Sequence, residues 1–504
     1  MSNPNPSFSG LRGRRLALGI GLGALLVYAI FIGKNTAVVA GGADSSGYFN
    51  SARLLTEGRL VTELRAPVEF GPRASLDGMH FLPQGFFPAR DRIHLTPTYP
   101  TGLPLHLAAA TSLFGWKLGP LLILMGAATG AIGLCYLVAR ELGLAPSLAA
   151  AGAILLAAFP VFIFASVQPL SDTLATAWNL AALFAALRAR RQAGWAGAAG
   201  AALAMAVLVR PTNLLLAPAL LVLLGLDGKR LALFVLGGLP GALWLAGYNT
   251  ALYGHPLTSG YGGDIFSAFG LAYGAPTALH FAKWLALLLP AAVLLLPFAA
   301  LARPELRSRE LLALALAFAA ISGCYAFYEV SHEVWWCLRF ILPVVPALIL
   351  AALLGVEALA RGPGSRWPRA WRPASALGLA LWAIGNSWYW SPELGVFMMK
   401  HYEQVYAEAS HAARDRLPKD ALVVCSAFSG SLYFYTDLAV LRLDQVEPPA
   451  FKRYASTAQG AGHAVCAVLF ESEEAEAFRR CPGAWTPLAK IRNVGLWQLA
   501  PPKR

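Results

Sequence analysis

The sequence predicts an α-helical polytopic membrane protein with about eleven transmembrane helices and a small α/β domain at its C-terminal end. Three observations support this fold class. Of the 504 residues, 57% are hydrophobic and 13% are charged, which is more apolar surface than a soluble core can bury. The apolar residues form runs long enough to cross a bilayer, with the cations between them. After residue 390 the runs stop and short strand-like stretches begin.

The excess of cations does not indicate a nucleic-acid binder. The chain has 40 Lys and Arg residues against 27 Asp and Glu residues. A nucleic-acid-binding protein gathers such charges on one polar domain, whereas here they are spread over the connections between apolar runs. The partner predicted by this distribution is the lipid bilayer, and no nucleic acid is expected.

The apolar runs predict the individual spans. The first run follows a polar, basic N-terminal stretch and lacks the small-residue cleavage pattern of a signal peptide, so we expect a retained first helix. Several later runs are shorter than the roughly 20 residues of a straight span. The two runs that meet at Arg210-Pro211 predict either one broken helix or a tight hairpin. In chain order, the spans are 16–32, 118–139, 147–167, 173–187, 196–209, 214–226, 231–253, 281–302, 311–328, 340–359 and 375–390.

The cations between the spans predict the orientation. With a cytoplasmic N-terminus, sixteen of them fall on the cytoplasmic side, and the opposite short connections hold almost none, as the positive-inside rule requires. Eleven spans then place the C-terminus outside a plasma (inner) membrane. The sixteen are Arg12, Arg14, Arg15, Arg140, Arg188, Arg190, Arg191, Lys229, Arg230, Arg303, Arg307, Arg309, Arg361, Arg366, Arg369 and Arg372.

Two long segments fall outside on this topology. Residues 34–117 form a first loop rich in Pro, Gly and aromatic residues, and loops of this length are usually functional. Residues 391–504 alternate predicted strands at 421–425, 440–443 and 465–470 with predicted helices at 402–417 and 450–459. We therefore divide the chain into a transmembrane unit, 1–390, and a soluble α/β unit, 391–504. An outside location allows one disulfide among Cys425, Cys466 and Cys481, and the pairing stays open.

Two carboxylates stand at the outer ends of predicted spans. Asp44 follows the first span within Gly41-Gly42-Ala43-Asp44, and Asp172 opens the fourth. Either could simply cap a helix by accepting free backbone N–H groups. Both nevertheless lie on the same side of one helical bundle, where they could share an acceptor hydroxyl, a metal ion or a proton. We therefore predict that Asp44 and Asp172 are catalytic.

Two arginines and neighbouring polar residues complete the candidate site. Arg210 and Arg339 are isolated cations at outward ends of apolar runs, where an anionic partner is expected, and a guanidinium fits a lipid phosphate. The alternative is that both extend towards lipid headgroups. Glu329, His332 and Glu333 lack the histidine spacing of zinc proteases, so metal ligands stay unassigned.

Prolines in 94–104 fix an irregular backbone that could present His94 or Tyr99 to a cavity. We assign Arg210, Arg339, Tyr99, His94 and Glu333 to the binding of substrate and lipid phosphate. Trp335 and Trp336 are also typical of the aromatic belt at a membrane surface.

These motifs together resemble the GT-C superfamily of membrane glycosyltransferases, in its bacterial family 39-like branch, which contains protein O-mannosyltransferases and lipid A aminoarabinose transferases. The resemblance covers roughly residues 16–359. It begins with Gly41-Gly-Ala-Asp44, followed by Tyr48 and the helix around Ala52-Arg-Leu-Leu. The later motifs are Tyr99-Pro-Thr-Gly-Leu-Pro-Leu, Pro169-Leu-Ser-Asp172-Thr-Leu-Ala-Thr, Val209-Arg-Pro-Thr-Asn, Tyr248-Asn-Thr-Ala-Leu-Tyr-Gly-His-Pro-Leu and Arg339-Phe-Ile-Leu-Pro.

The resemblance implies transfer of a sugar from a polyprenyl-phosphate donor to a hydroxyl of an envelope glycolipid, polysaccharide or protein, outside the membrane. It implies that Asp44 is the base, that Asp172 orients the acceptor or binds metal, and that no cofactor is certain, with a divalent metal ion left open. The chain has Asp44-Ser45 where protein O-mannosyltransferases have an acidic pair, which favours a glycolipid or polysaccharide acceptor.

Two other classes stay open: a transporter or flippase of lipid-linked sugars, and a non-catalytic envelope scaffold. The absence of an inverted repeat and the long first loop argue against transport. For the C-terminal unit, acceptor docking and lid formation are the candidate roles.

Overall fold

The computed structural model describes residues 8–73, 76–261, 263–302, 308–360 and 370–501. The side chains of residues 8–17 and 263–265 are not described. Five of the cations used to predict the orientation therefore lie outside the described residues: Arg303, Arg307, Arg361, Arg366 and Arg369. The side chains of Arg12, Arg14 and Arg15 are likewise outside the description.

Each of the eleven predicted apolar runs falls on helical structure, in two cases on a pair of helices joined by a bend. Apolar residues dominate these segments, and a helix is the structure that satisfies every backbone polar group within one segment. The helices before residue 395 are α1 (Phe8–Asn35), α2 (Ala43–Thr56), α3 (Gly102–Glu141), α4 (Pro146–Ala157), α5 (Pro160–Ser166), α6 (Ser171–Ala189), α7 (Trp195–Val209), α8 (Ala217–Leu224), α9 (Gly228–Tyr253), α10 (Gly274–Leu288), α11 (Ala292–Leu301), α12 (Arg309–Ala326), α13 (Val345–Ala360) and α14 (Trp371–Glu393).

Five of the described helical segments are long and apolar enough to cross a membrane unaided, in α1, α3, α9, α12 and α13. Two bent pairs raise the number to seven if each is one span: α4 with α5, bent by 61°, and α10 with α11, bent by 105°. The other predicted spans, on α6, α7, α8 and α14, are helical but shorter or more polar. The run at 281–302 is thus a broken helix, not the straight span its composition suggested.

The first loop is shorter than predicted. Helix α3 begins at Gly102, so residues 102–117 are helical, and a break at Gly115 (φ 74°, ψ 168°) separates them from the predicted second span. The left-handed φ is one that glycine adopts readily. We call residues 36–101 the first loop. It contains α2 and a three-stranded antiparallel sheet in the order β1 (Thr62–Glu63), β3 (His94–Pro97), β2 (Phe86–Pro88).

The C-terminal part of the chain forms a five-stranded mixed sheet with helices around it. Its helices are α15 (Met399–Arg416), α16 (Ser429–Tyr435), α17 (Pro448–Gly460) and α18 (Glu471–Arg480). Its strands are β4 (Leu422–Cys425), β5 (Ala439–Arg442), β6 (Val465–Phe470), β7 (Trp485–Ile491) and β8 (Val494–Leu499). The order is β5-β4-β6-β8-β7, with β4 parallel to β5 and β6, and β8 antiparallel to β6 and β7. The three predicted strands and two predicted helices are present; the β7–β8 hairpin, α16 and α18 were not predicted.

The disulfide that an outside location would allow is absent, because all six cysteines are free. Cys425 and Cys466 lie on neighbouring parallel strands, but the residue beside Cys466 is Val423, two positions before Cys425. That offset adds roughly 6.6 Å along the strand, beyond the reach of a disulfide. Cys481 belongs to a different apolar cluster, on the other side of the sheet.

The first loop and the C-terminal sheet share one apolar core. Leu64, Phe81 and Phe86 of the loop are buried in the same cluster as Leu441 and Phe451 of the sheet unit. The two parts are therefore packed together through this core, and the sheet unit also contacts the segment that leads from α1 to Asp44.

Candidate functional site

Asp44 lies in the first turn of α2 and does not cap it. The N-cap position belongs to Gly42, and the helix start has no side-chain cap. Instead, Oδ2 of Asp44 accepts a hydrogen bond of 2.7 Å from Nη2 of Arg339. The interpretation of Asp44 as a helix cap is therefore wrong, and the residue belongs to a charged cluster.

Asp172 occupies the equivalent place on α6, in the first turn after the N-cap residue Leu170, again with no side-chain cap. Its side chain is only 1% exposed. It forms an ion pair with Arg210, and its Oδ2 lies 3.6 Å from Nη1 of Arg339. The two carboxylates thus converge, as the sequence predicted, and Arg339 joins them.

Local breaks in helices deliver both arginines to this point. Pro211 cannot continue α7, so Arg210 takes an extended conformation (φ −148°, ψ 112°) between α7 and the 3-10 helix Pro211–Leu216. The side-chain amide of Asn213 donates to the carbonyl of Ala206 at 2.9 Å, and that carbonyl also accepts the backbone N–H of Arg210, so Asn213 ties the segment after the break to the end of α7. Arg339 lies in another 3-10 helix, Trp335–Phe340, which precedes α13.

Aromatic rings and a tyrosine hydroxyl surround the guanidinium groups. Arg210 donates to the Tyr325 hydroxyl at 3.0 Å and lies 5.5 Å from the centre of that ring. Arg339 lies 5.4 Å from the ring centres of both Trp336 and Phe340. The arginine side chains are 12% and 15% exposed, so the alternative that they reach out to headgroups is wrong. In this structure their anionic partners are carboxylates.

Tyr99 contacts the cluster from the first loop. Its hydroxyl donates to Asp44, and its ring packs 4.9 Å from Tyr48 and 6.4 Å from Tyr261. A Cβ at Gly47 would come within 2.2 Å of the Tyr99 ring, so this close approach requires glycine. Tyr99 therefore lies beside Asp44, and its assignment to substrate binding stays a prediction. Tyr261 and Tyr325 were not predicted, since no motif singles them out.

The structure does not bring His94 or Glu333 to the cluster. His94 lies on β3 with Nδ1 2.6 Å from Oδ2 of Asp91, at the surface. Glu333 is exposed at the end of the 3-10 helix Glu329–His332. His94 differs from Tyr99 because the strand β3 ends between them and the chain turns towards α3 only after Pro97.

The ion pairs decide the protonation of Asp44. Burial raises the pKa of its carboxyl, but the charge and hydrogen bonds of Arg339, with the hydroxyl of Tyr99, outweigh burial and leave that pKa below its ordinary value. Asp44 is therefore ionised in the unloaded site.

Two buried polar atoms of the cluster remain available to a ligand. Within the described part of the chain, Nε of Arg339 and Oδ2 of Asp172 have no hydrogen-bond partner. Buried polar atoms are normally satisfied, so such atoms point to a missing group. One of them is a donor and the other an acceptor.

Metal ligands do not gather elsewhere either: among the described residues, no three His, Cys, Asp or Glu side chains come close enough to hold an ion. No family profile matches the chain, and no curated protein matches it by sequence.

Solved structures do match over nearly the whole chain. ArnT from Cupriavidus metallidurans, bound to undecaprenyl phosphate, superposes with a TM-score of 0.58 at 14% identity, over 95% of this chain and 97% of ArnT. The Archaeoglobus fulgidus oligosaccharyltransferase, tethered to an acceptor peptide, superposes with a TM-score of 0.54 at 13% identity, over 96% of this chain and 74% of its own. The fold predicted by the resemblance is confirmed.

Proposed function

We propose, with the GT-C fold as the premise, that this chain is a membrane glycosyltransferase that moves a sugar from a polyprenyl-phosphate donor to an acceptor hydroxyl. The observation that carries the proposal is the cluster in which Arg339 joins the carboxylates of Asp44 and Asp172. The acceptor is an envelope glycolipid, polysaccharide or protein, and transfer takes place on the outer side of the plasma membrane, where the orientation predicted from the cations puts the first loop.

The donor class is supported by both the comparison and the cluster. ArnT was solved with undecaprenyl phosphate bound, which is a polyprenyl phosphate. In this chain, Arg210 and Arg339 supply two guanidinium groups, and Nε of Arg339 is free for a further hydrogen bond within the described residues. Guanidinium forks match phosphate oxygens, and rings around them keep water away.

Asp44 is the base in this proposal. The acceptor hydroxyl attacks the anomeric carbon as the bond from that carbon to the phosphate oxygen breaks, and the hydroxyl proton passes to Asp44. The electron pair of the broken bond stays on the polyprenyl phosphate. Direct displacement inverts the anomeric centre. Asp172, with its free Oδ2, accepts a hydrogen bond from the acceptor or holds Arg210 and Arg339 in place.

A carboxylate paired with arginine is a weak base because the positive charge lowers its proton affinity, and binding of the donor weakens this pairing. The two carboxylates and two guanidiniums of the unloaded cluster carry no net charge. A donor phosphodiester brings one negative charge and competes with Asp44 for Arg339, which makes Asp44 more basic. During transfer Asp44 becomes neutral as the phosphate approaches a charge of about −2. Arg339 is then free to stabilise the departing phosphate.

The experiment compares purified wild type with Asp44→Asn in transfer of radiolabelled sugar from polyprenyl-phosphate donors to extracted envelope glycolipids. We expect transfer by wild type and a loss of at least ~100-fold in the variant, the usual contribution of a general base. Glu57→Gln is the matched control, because Glu57 follows the other end of α2 and contacts only Arg59 among the described ion pairs.

The outcomes separate the function classes. Equal activity of wild type and Asp44→Asn would exclude Asp44 as the base. Absence of transfer with every donor would contradict the enzyme and favour the transporter or scaffold.

A further inference from the structure

The turn between α1 and α2, which carries Asp44, is held by side chains from the C-terminal sheet unit. The backbone N–H of Gly42 donates to Oε2 of Glu403 at 3.2 Å. The N–H of Ala40 donates to the hydroxyl of Tyr435 at 3.0 Å. Glu403 lies on α15 and Tyr435 on α16, so two helices of that unit hold one short segment of the first loop.

Glu403 also contacts the first turn of α2 itself. The hydroxyl of Ser45, the residue after Asp44, also lies near the Glu403 carboxylate and lowers its pKa. One side chain therefore binds the backbone two residues before Asp44 and lies near the side chain one residue after it. Gly42 is the N-cap residue of α2 and has no side chain to cap the helix, and Glu403 accepts its N–H as an acidic residue at the third helical position does in a capping box.

The fit between Glu403 and the turn is close. A Cβ on Gly41 would lie 1.9 Å from Oε2 of Glu403, so a side chain at residue 41 would displace that carboxylate from its present position. Asp44 is further fixed from the opposite side by Arg339. The position of the candidate base is thus set between a cation of the bundle and a carboxylate of the C-terminal unit.

Burial makes this carboxylate costly. Burial and the nearby charge of Asp44 raise the pKa of Glu403 above its ordinary value, despite the nearby hydroxyl of Ser45 and the hydrogen bond from Gly42. A surface helix such as α15 could carry an apolar residue here without that cost. An apolar residue at this position could not accept the N–H of Gly42, so the contact with the turn explains why an acidic residue is present.

We propose that Glu403 is a positioning residue, which fixes the Gly41-Gly42 turn and thereby the direction of the Asp44 carboxylate. This inference rests on the proposed transfer reaction. The C-terminal unit then takes part in catalysis by supporting the first loop, a role distinct from docking an acceptor or forming a lid.

The kinetic test uses Glu403→Ala, Glu403→Gln and the matched control Glu408→Gln. Glu408 lies on the same helix and pairs with Arg492, away from the turn. A misplacement of about 1 Å can cost 10²-fold in rate. We expect kcat of Glu403→Ala to fall roughly 10- to 100-fold with KM for the donor within about 2-fold, since Arg210 and Arg339 are untouched. Glu403→Gln keeps an oxygen for Gly42 and should recover most of kcat.

A double-mutant cycle tests the contact itself. Gly41→Ala should lower kcat in the wild type because its Cβ displaces the carboxylate, but it should change little in Glu403→Ala, where that clash is gone. Additive effects of the two substitutions would contradict the proposed contact.

Hydrogen exchange of peptides spanning residues 38–48 provides a measurement that needs no activity. The Gly42 amide should exchange faster in Glu403→Ala than in wild type, and its exchange rate in Glu408→Gln should equal that of wild type. Unaltered exchange, or unaltered kcat in a folded Glu403→Ala, overturns the inference while the transfer function stands. If exchange rises but the wild type transfers no sugar, the proposed function fails and the structural contact survives.

Discussion

At the scale of the residue, the two carboxylates and two guanidiniums of the charged cluster cancel in charge, and each group is stabilised by its oppositely charged neighbours. Asp172 is almost fully buried, and its ion-pair partners among the described residues are Arg210 and Arg339. Arg339 is the central member because it alone, among the described ion pairs, touches both carboxylates. Removing it leaves Asp44 without an ion-pair partner among the described residues and leaves Asp172 with Arg210 alone, which is more damaging than the loss of one contact.

We therefore expect Arg339→Gln to abolish measurable transfer and to lower the free energy of unfolding by about 3–5 kcal/mol, the usual cost of an uncompensated buried charge. Arg339→Lys restores the charge without the fork and should recover stability more than activity. Transfer rates and thermal unfolding in detergent check both statements.

Arg372→Gln is the control for that experiment. Arg372 makes an equally close pair with Glu357, at 2.7 and 2.8 Å, far along the chain from the cluster. Its loss should affect stability and leave transfer intact. If Arg372→Gln removed transfer as well, the special position of Arg339 would be refuted.

The residues of the site differ in how far the sequence revealed them. Asp44, Asp172, Arg210 and Arg339 were predictable because charge at the end of an apolar run is costly and therefore informative. Their pairing with one another was not, since the pattern along the chain contains no distances. Glu403 resembles any acidic residue on an amphipathic helix, and only its contact with Gly42, 361 residues away, distinguishes it.

At the scale of the element, a histidine joins the first loop to the C-terminal unit. Nδ1 of His463 lies 2.8 Å from Oδ2 of Asp420, and Nε2 lies 3.2 Å from Oε2 of Glu69 in the first loop. The hydrogen bond with Asp420 and the nearby carboxylate of Glu69 raise the pKa of His463 above its ordinary value of 6.5. The charged histidine thus holds the loop and the unit together.

This shift predicts a pH dependence of the loop contact. Because the folded pKa is the higher one, the stabilisation is complete below pH 6.5 and is lost as the pH rises through the folded pKa. We expect limited proteolysis of the first loop to accelerate with rising pH in wild type. In His463→Gln the rate should no longer change over this range. His255→Gln, a histidine between α9 and α10, should behave as wild type, and a flat wild-type profile would contradict the prediction.

Helix α9 packs against α7 through glycines. A Cβ on Gly237 would lie 2.0 Å from the carbonyl oxygen of Gly197, and a Cβ on Gly200 would lie 1.9 Å from that of Phe234. Small residues of this kind allow membrane helices to approach closely, where packing rather than burial drives association.

Gly237→Leu should therefore separate α7 from α9 and lower the unfolding temperature by several degrees. Because Arg210 lies at the end of α7, it should be displaced from the cluster, and sugar transfer should be lost. The control is Gly247→Leu on the same helix, where a Cβ meets no atom within 4 Å. Thermal unfolding and transfer assays on both variants distinguish loss of the α7–α9 contact from a general destabilisation of α9. Equal effects of Gly237→Leu and Gly247→Leu would contradict the tight interface.

Elements were easier to predict than their bends. Apolar runs determine helices, since a chain in lipid has few other ways to satisfy its backbone. The 105° bend between α10 and α11 falls at Pro290, but the size of such an angle is not encoded in the composition. The first loop is shorter than predicted because α3 begins at Gly102, before the apolar run that predicted the second span. The β7–β8 hairpin was not predicted because apolar and polar residues alternate poorly along β7 and because that strand contains Pro487.

At the scale of the whole molecule, the charge pattern predicts which side each part faces. We expect Lys419→Cys, on the C-terminal unit, to react with a membrane-impermeant maleimide in intact cells. Lys229→Cys, between α8 and α9, should react only after permeabilisation. Both positions are exposed, and five of the six native cysteines are buried. Reaction of Lys229→Cys in intact cells would reverse the predicted topology.

The core shared by the first loop and the sheet unit sets an order on biogenesis. Phe81 and Phe86 leave the ribosome early, whereas Leu441 and Phe451, which cover them, follow some 350 residues later. At about 5–20 residues per second, the loop waits on the order of tens of seconds with these rings uncovered. All four charged residues of the cluster are translated before residue 390, yet Glu403 and Tyr435 arrive afterwards. A nascent chain that has not yet reached Glu403 therefore carries the four charged residues of the cluster without the contacts that hold the segment before Asp44.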